Sequence, residues 1–223
     1  MIQCKGGESF YRSAEQFGNV IGTYTEYESV FAKFPWQEVL ARNGSVTRKS
    51  AWFTENDCTC HYSYAKWPKG GWAPQQYNDL LVKLARQTEQ LLGLDTGYLN
   101  SCNANLYSLP SHDLYWHSDD EKLFREAEAP KDKRKVLIVS LSFGATRTFR
   151  MRAKMHGDES IVEVELKDGD IITMEDLFQD NFQHTIALGK NRSTATSSSA
   201  TSTRISLTFR RILRHHNSCL TLH

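Results

Sequence analysis

The second half of the chain consists largely of short segments with the length and composition of β-strands. The longest of them, KVLIVSLSFG, is a continuous apolar run. Turn signals such as KDGD separate the others, which are SCNANLYSL, RTFRMR, IVEVEL, DIITME, QHTIAL and RISLTFR. Many short strands behind a more helical N-terminal half predict an α+β protein with a closed or two-sheet β core and helices packed on it.

The first half of the chain supplies the helices. Between Pro74 and Leu92, apolar side chains recur at helical spacing, with a proline where a first helical turn tolerates one and Gly93 just past the end. Residues 8–42 are predicted to form one or two short helices interrupted by Pro35. The aromatic segment 46–72 contains several breakers and predicts short strands or a hairpin followed by a loop.

Length and composition set outer limits on what the protein can be. A chain of 223 residues, 39% of them hydrophobic, suits one globular domain with a small N-terminal extension. The net charge of +1 does not by itself indicate a nucleic-acid binder. No apolar run approaches the ~20 residues that span a bilayer, and MIQCKGGESF lacks a signal-peptide core. We expect reduced thiols and an intracellular, nuclear or cytoplasmic monomer.

A histidine and an aspartate in WHSDDE form a candidate metal site. Side chains two residues apart on a strand point the same way, so His117 and Asp119 project together and Ser118 faces away. His184, at the start of a strand, is the best candidate for a third ligand. Two histidines and one carboxylate are the facial triad that holds Fe(II) in oxygenases. The alternative for the H-x-D pair alone is a solvated acidic turn.

The segment RISLTFR supplies a second candidate site. Strand alternation places Arg204, Ser206, Thr208 and Arg210 on one face and the apolar residues on the other. If the polar face looks into a closed barrel, the two arginines require anionic partners, because burying an unpaired guanidinium is costly. Paired guanidiniums suit a small diacid such as 2-oxoglutarate. The alternative is an exposed edge strand whose arginines are solvated.

Taken together, H-x-D, a distant histidine and R-x-S-x-T-x-R occur in the order expected for a non-haem iron, 2-oxoglutarate-dependent oxygenase. Over roughly residues 46–213 the sequence resembles the AlkB family of nucleic-acid dioxygenases. The resemblance implies one domain over 46–213, with an N-terminal extension (1–45) packed on it and a tail (214–223). The resembling segments are NLY (105–107), WHSDDE (116–121), SLSFGATRTFRMR (140–152), GDIITME (169–175), QHTI (183–186) and RISLTFR (204–210). The resemblance implies a double-stranded β-helix (jelly-roll) core with the N-terminal helices packed on one sheet, and Fe(II) and 2-oxoglutarate as cofactors.

The resemblance also implies roles for individual residues. His117, Asp119 and His184 match the family's iron ligands and form its catalytic centre. Further residues match the groups that bind 2-oxoglutarate: Arg204 and Arg210 for its carboxylates, and Asn105 and Tyr107 for additional hydrogen bonds. Ser206 stands where the family commonly has asparagine, and its hydroxyl has a shorter reach.

The substrate side of the site is predicted from acidic and aromatic residues. Asp120 and Glu121 follow the iron-binding aspartate and are placed to accept hydrogen bonds from a base or to pair with a cationic alkylated base. The alternative for both acids is a salt bridge to Arg147 or Arg150. The lid at about 46–73 is expected to expose Tyr62 or Tyr64, together with Trp67, as surfaces on which bases stack, with core packing as the alternative.

These expectations define a leading function and its alternatives. The leading one is oxidative demethylation of N1-methyladenine or N3-methylcytosine in DNA or RNA, with dioxygen as co-substrate and formaldehyde, succinate and CO2 as products. The alternatives are a 2-oxoglutarate-dependent hydroxylase of a small molecule or protein side chain, and a binding module with a degenerate site. Cys58, Cys60 and His61 are a further candidate metal site, but a C-x-C pair without a second pair is weak evidence for zinc. His215 and His216 in the tail are expected to be solvated or disordered and not to bind metal.

Overall fold

The chain is described as a computed structural model. The residues that it describes are 9–12, 21–41, 44–64, 67–108, 114–125, 136–154, 160–188, 203–217 and 219. The helices are α1 (Tyr24–Phe31), α2 (Asp79–Leu92) and the single turn α3 (Phe178–Asn181). The strands are β1 (Ser9–Arg12), β2 (Gln37–Leu40), β3 (Val46–Thr54), β4 (Tyr62–Tyr64), β5 (Trp67–Trp72), β6 (Gln75–Gln76), β7 (Ser101–Tyr107), β8 (Ile138–Gly144), β9 (Arg147–Ala153), β10 (Ile161–Leu166), β11 (Ile171–Asp176), β12 (Phe182–Leu188) and β13 (Arg204–Arg210).

Two facing sheets form the β core of the described chain. The larger sheet has the strand order β1-β11-β8-β13-β7-β3-β2, with the short β6 paired to β3. The smaller sheet has the order β10-β9-β12. Neighbours along both orders run antiparallel, and β3–β6 is a parallel pair. The order jumps repeatedly between distant parts of the chain, as expected of a jelly roll, and this prediction is confirmed.

Helices cover one face of the larger sheet. Tyr27 and Phe31 of α1 and Leu81 and Leu84 of α2 join one hydrophobic cluster with the apolar residues of β3, β7, β8 and β13. In β13 these are Ile205, Leu207 and Phe209, as the alternation of RISLTFR predicts. The arginine-bearing face of β13 is thereby turned away from the helices, toward the smaller sheet.

A second cluster fills the space between the two sheets at one end. Ile138 and Ile172 of the larger sheet meet Phe149 and Met151 of β9 and Ile186 of β12. This hydrophobic cluster occupies one part of the space between the two sheets. The polar side chains of the candidate site lie in the remaining part.

Some predicted element boundaries were wrong. α2 begins at Asp79 rather than at Pro74, because Asn78 caps the helix: its Oδ1 accepts a hydrogen bond from the backbone N–H of Leu81 at 3.0 Å. Gln75 and Gln76 instead pair with β3. The predicted C-terminus is confirmed, since Gly93 adopts the left-handed conformation with φ 68°. Residues 8–42 supply strands β1 and β2 in addition to one helix.

Candidate active site

The two histidines meet because their backbones pair as neighbouring strands. The N–H of His117 donates to the carbonyl of His184 at 3.0 Å, and the N–H of His184 donates to the carbonyl of His117 at 2.8 Å. Residues that exchange both backbone hydrogen bonds present their side chains on the same face. The two imidazole rings accordingly lie 4.2 Å apart between centroids. This pairing brings together two residues that are distant in the sequence.

Asp119 completes a cluster of three donors. Ligand atoms of His117, Asp119 and His184 all lie within 4.8 Å of one another, and all three side chains are buried. Gln179 of α3 holds the segment in place by accepting the Asp119 backbone N–H at 2.9 Å. The Ser118 hydroxyl points elsewhere and donates to the carbonyl of Phe182 at 2.8 Å. The prediction that the side chains of His117 and Asp119 project in the same direction is therefore confirmed.

A hydrogen bond to the backbone orients the imidazole of His117 in the site. Its Nδ1 lies 2.7 Å from the carbonyl of Tyr115, which can only accept, so Nδ1 carries the proton. Nε2 then has its lone pair directed into the site, 3.5 Å from Oδ1 of Asp119. A histidine fixed by a backbone carbonyl on its other nitrogen is the usual arrangement of a metal ligand.

The site favours the protonation states that a divalent cation requires. Burial lowers the pKa of His184 to about 3, and it also lowers the pKa of His117. Burial alone would raise the pKa of Asp119, but Arg210 and the two histidines outweigh it and hold that pKa well below its usual range. Two neutral imidazoles and one carboxylate fit Fe(II) by donor type and number.

β13 carries a buried guanidinium at each end, and that of Arg210 lies against the cluster. Arg210 is 2% exposed and donates to Oδ2 of Asp119 through Nη2, while Arg204 is 0% exposed and donates to Oγ of Ser142 at 3.0 Å. Within the described residues, Nε and Nη1 of both arginines have no hydrogen-bond partner. Burial lowers the pKa of Arg204 to about 10. Buried cations with unused donors are poised for an anionic ligand.

Asn105 and Tyr107 lie on β7, directly beside β13. Asn105 stands opposite Ser206 and Tyr107 opposite Arg204 in the strand register. The ring of Tyr107 lies 5.5 Å from the Arg204 guanidinium carbon. Oγ of Ser206 is 2.8 Å from Oγ of Ser140. The triad and the residues around it share one interior cavity, whose further lining residues include Asn105, Tyr107, Ser206, Thr208 and Arg210.

Arg48 lines the cavity, although it was not among the predicted site residues. Its side chain is only 8% exposed, and its Nε donates to Oδ1 of Asn105 at 2.8 Å. The Ser50 hydroxyl donates to the same oxygen at 2.6 Å. Strand alternation in the sequence could have placed Arg48 in the cavity. Ala51 and Phe53 face the helices, so Arg48 and Ser50 face the opposite way. Asn105 is left with its NH2 group to offer a ligand.

The predicted substrate residues are only partly placed as expected. Tyr62 is 3% exposed, so its prediction as an exposed stacking residue was wrong: the ring packs between Trp52 and Trp72 at 4.9 and 5.9 Å. It nevertheless lines the cavity. The side chains of Tyr64 and Trp67 lie outside the described residues.

The two acids beside the triad differ in their surroundings. Asp120 is exposed, whereas Glu121 accepts a hydrogen bond from the Tyr62 hydroxyl at 2.5 Å through Oε1. Burial raises the pKa of Glu121 to about 7. The salt-bridge alternative does not apply to Arg150, whose Nε pairs with Glu163 at 2.9 Å.

A facial triad inside a jelly roll defines a class of oxygenases, and comparison with known families agrees. The chain belongs to the 2OG-Fe(II) oxygenase superfamily, whose family model matches residues 23–210. That match includes the triad and the arginine-bearing strand β13. No helix among the described residues is long and apolar enough to cross a membrane.

Within that superfamily the chain is an AlkB-family oxygenase. It is 33% identical over 180 residues to alpha-ketoglutarate-dependent dioxygenase alkB homolog 3 of Bos taurus, covering 72% of this chain and 56% of that protein. The Homo sapiens protein of the same name is 32% identical over 174 residues, covering 71% and 54%. The chain thus spans about half the length of these relatives.

A solved structure supports the fold. The structure of OsALKBH1 matches with a TM-score of 0.50 and 17% sequence identity, over 79% of this chain and 83% of that chain. At this identity the likeness concerns the fold alone. The AlkB resemblance is confirmed by the sequence relatives.

Proposed function

We propose that the chain oxidatively demethylates N-alkylated bases, of the N1-methyladenine and N3-methylcytosine type, in DNA or RNA. The observation that carries the proposal is the buried triad of His117, Asp119 and His184 with the Arg210 guanidinium against it. The similarity to AlkB homologues supports a nucleic-acid substrate.

We assign Fe(II) and 2-oxoglutarate to buried residues of the site. His117, Asp119 and His184 hold Fe(II), and the unused donors of Arg204 and Arg210 bind the carboxylates of 2-oxoglutarate. Asn105, Tyr107 and Ser206 lie between the two arginines on adjacent strands and hydrogen-bond the same molecule. Arg48 and Ser50 fix the orientation of Asn105.

With both cofactors and dioxygen bound, the centre supplies the oxidising chemistry that inserts one oxygen atom into an N-methyl C–H bond. The second oxygen atom would enter succinate as 2-oxoglutarate loses CO2. The C–N bond of the resulting N-hydroxymethyl group would then break: its electron pair returns to the base nitrogen, which loses its positive charge, and formaldehyde and the hydroxyl proton leave. Burial of the donors excludes bulk water from this step.

We assign Asp120 and Glu121, which follow the aspartate of the triad, to binding of the methylated base. Oε2 of Glu121 is buried and has no hydrogen-bond partner among the described residues, while Tyr62 holds Oε1. A carboxylate in this position suits an alkylated base that carries a positive charge. Asp120 is exposed and is assigned to the base from the solvent side. We assign Tyr64 and Trp67 of the lid to base stacking.

A base reaches such an interior site only from a single strand or by flipping out of a duplex. The experiment is therefore a panel of single- and double-stranded oligonucleotides, DNA and RNA, that carry N1-methyladenine, N3-methylcytosine or N6-methyladenine. Formaldehyde and succinate are measured together, with the His117→Ala/Asp119→Ala variant as control.

We expect oligonucleotides with N1-methyladenine or N3-methylcytosine to yield formaldehyde and succinate in equal amounts. Succinate without formaldehyde across the whole panel would overturn the proposal and favour hydroxylation of a small molecule or protein side chain. The net charge of +1 is compatible with such a target. Release of neither product from a correctly folded, iron-loaded chain would favour a binding module.

A further inference from the structure

Three cysteines and a histidine converge at a second place in the molecule, outside the oxygenase cavity. Cys58 and Cys60 lie between β3 and β4, and His215 and Cys219 lie in the segment that follows β13. One donor atom from each residue lies within 4.8 Å of the other three. The three cysteines are at most 3% exposed, and His215 is half-buried. The sequence analysis had expected His215 to be solvated.

Four of the six distances between the donor atoms match the edges of a tetrahedron around one metal ion, and the other two are within 4.8 Å. Nδ1 of His215 lies 3.5 Å from Sγ of Cys58, 3.6 Å from Sγ of Cys60 and 3.3 Å from Sγ of Cys219. Sγ of Cys219 lies 3.6 Å from Sγ of Cys58. With Zn–S of ~2.3 Å and Zn–N of ~2.0–2.1 Å, tetrahedral S···N and S···S edges are ~3.6 and ~3.8 Å.

Backbone groups are arranged to stabilise thiolates at this place. The N–H of Thr59 donates to Sγ of Cys219 at 3.4 Å, and the N–H of His216 donates to Sγ of Cys60 at 3.3 Å. These bonds link the two chain segments reciprocally, each segment donating to a sulfur atom of the other. Hydrogen bonds of this kind orient metal-bound cysteines and stabilise their charged form. The cysteines are free thiols, so no disulfide competes for the sulfur atoms.

The surroundings of the cluster are rigid. Cys58 and Cys60 are held by their carbonyls, which accept from the Thr54 hydroxyl at 2.6 Å and from Nε1 of Trp52 at 2.8 Å. All three cysteines belong to one hydrophobic cluster that also contains Trp52, Tyr62, Trp72, Phe124 and Ile212. A metal bound here would be enclosed by packed side chains.

We propose that Cys58, Cys60, His215 and Cys219 bind one structural Zn²⁺ ion. Four protein ligands of the Cys₃His type leave no open coordination position, which is the mark of a structural and not a catalytic zinc site. The ion fastens the segment after β13 to the loop between β3 and β4. That loop leads directly into Tyr62, which lines the oxygenase cavity, so the zinc site supports the cavity wall from outside.

The direct test is metal analysis of the chain in a background that cannot bind metal in the cavity. The His117→Ala/Asp119→Ala variant is purified and its zinc content is measured by mass spectrometry. We expect about one zinc per chain, and less than about one tenth of that when Cys60→Ser and Cys219→Ser are added. His215→Ala is expected to lower the zinc content as well.

Matched controls distinguish loss of ligands from loss of a side chain. Cys102→Ala removes a buried cysteine of β7 that lies outside the cluster, and His216→Ala removes the exposed neighbour of His215. Both are expected to retain the zinc. Zinc absent from the background variant, iron present in its place, or zinc unchanged in Cys60→Ser/Cys219→Ser would overturn the proposal.

A measurement on the unaltered sequence guards against variants that fail to fold. Zinc K-edge X-ray absorption of the full chain loaded with one equivalent of zinc is expected to show a shell dominated by sulfur at ~2.3 Å. Zinc bound in the oxygenase cavity would give only nitrogen and oxygen neighbours, and that spectrum would contradict the proposal.

Discussion

Arg210 donates a hydrogen bond to Oδ2 of Asp119, so a single guanidinium contacts the metal-binding carboxylate while its Nε and Nη1 lack a partner among the described residues. The other carboxylate oxygen of Asp119 lies 3.5 Å from Nε2 of His117. Arg210 therefore connects the proposed iron site to the proposed co-substrate site. A planar fork can do both at once, and an ammonium group cannot.

Arg210→Lys tests this double contact. We expect the KM for 2-oxoglutarate to rise at least ~10-fold, because a charge-assisted hydrogen bond is worth ~1.5–3 kcal/mol. Steady-state succinate production over a range of 2-oxoglutarate concentrations measures the change. Arg211→Lys is the matched control, since Arg211 is exposed and follows directly in the chain. Equal effects of both substitutions would contradict the assignment.

Arg48→Met separates a role in the cavity from a role on the nucleic-acid surface. Because Arg48 fixes Oδ1 of Asn105, its loss is expected to raise the KM for 2-oxoglutarate by ~3–10-fold, a cost typical of one buried hydrogen bond. Binding of an unmodified oligonucleotide is expected to stay unchanged. Lys49→Met, on the opposite face of β3, serves as control. Weakened oligonucleotide binding with an unchanged KM for 2-oxoglutarate would show instead that Arg48 contacts the nucleic acid.

Tyr62→Phe keeps the aromatic packing and removes the hydroxyl that donates to Glu121. Without that hydrogen bond Glu121 loses its fixed orientation, and we expect the KM for a methylated oligonucleotide to rise by ~5–30-fold. Succinate formed without oligonucleotide should stay the same, because the donors of the triad are untouched. Tyr98→Phe, at a tyrosine away from the cavity, is the control. A parallel fall in both activities would show that Tyr62 acts through stability instead.

Glu89→Ala tests the stability of the scaffold. Glu89 is 2% exposed and accepts the backbone N–H groups of Leu99 and Gly97 at 2.8 and 3.1 Å, as well as the Arg86 guanidinium at 2.5 Å. Its loss leaves these donors unpaired, and we expect the free energy of unfolding to fall by ~2–4 kcal/mol. Urea unfolding measures it, with the exposed Gln90→Ala as control. A loss below ~0.5 kcal/mol would contradict this account.

Local patterns in the sequence predicted what depends on neighbouring residues. The alternation of RISLTFR set which face of β13 is buried against the helices, and the i, i+2 spacing set the common direction of His117 and Asp119. Gly93 marked a helix end for a conformational reason. These features follow from backbone geometry within a few residues of each other.

Long-range packing decided what the sequence could not predict. The sequence predicts Tyr62 as an exposed aromatic residue of the lid, but in the structure its ring packs between Trp52 and Trp72. Cys58 and Cys60 look like an incomplete zinc motif, because their partners His215 and Cys219 come from the far end of the chain. No spacing rule connects residues so far apart; β13 and the segment after it bring them together.

The most direct test of the central claim is anaerobic titration of the chain with Fe(II) and 2-oxoglutarate, followed through the visible charge-transfer band of the ternary complex. The account predicts that the unaltered chain develops the band at one Fe(II) per chain. His184→Ala should lose it, and Arg210→Lys should require more 2-oxoglutarate to reach it. A band of the same intensity and midpoint in His184→Ala would show that iron binds elsewhere and would contradict the account.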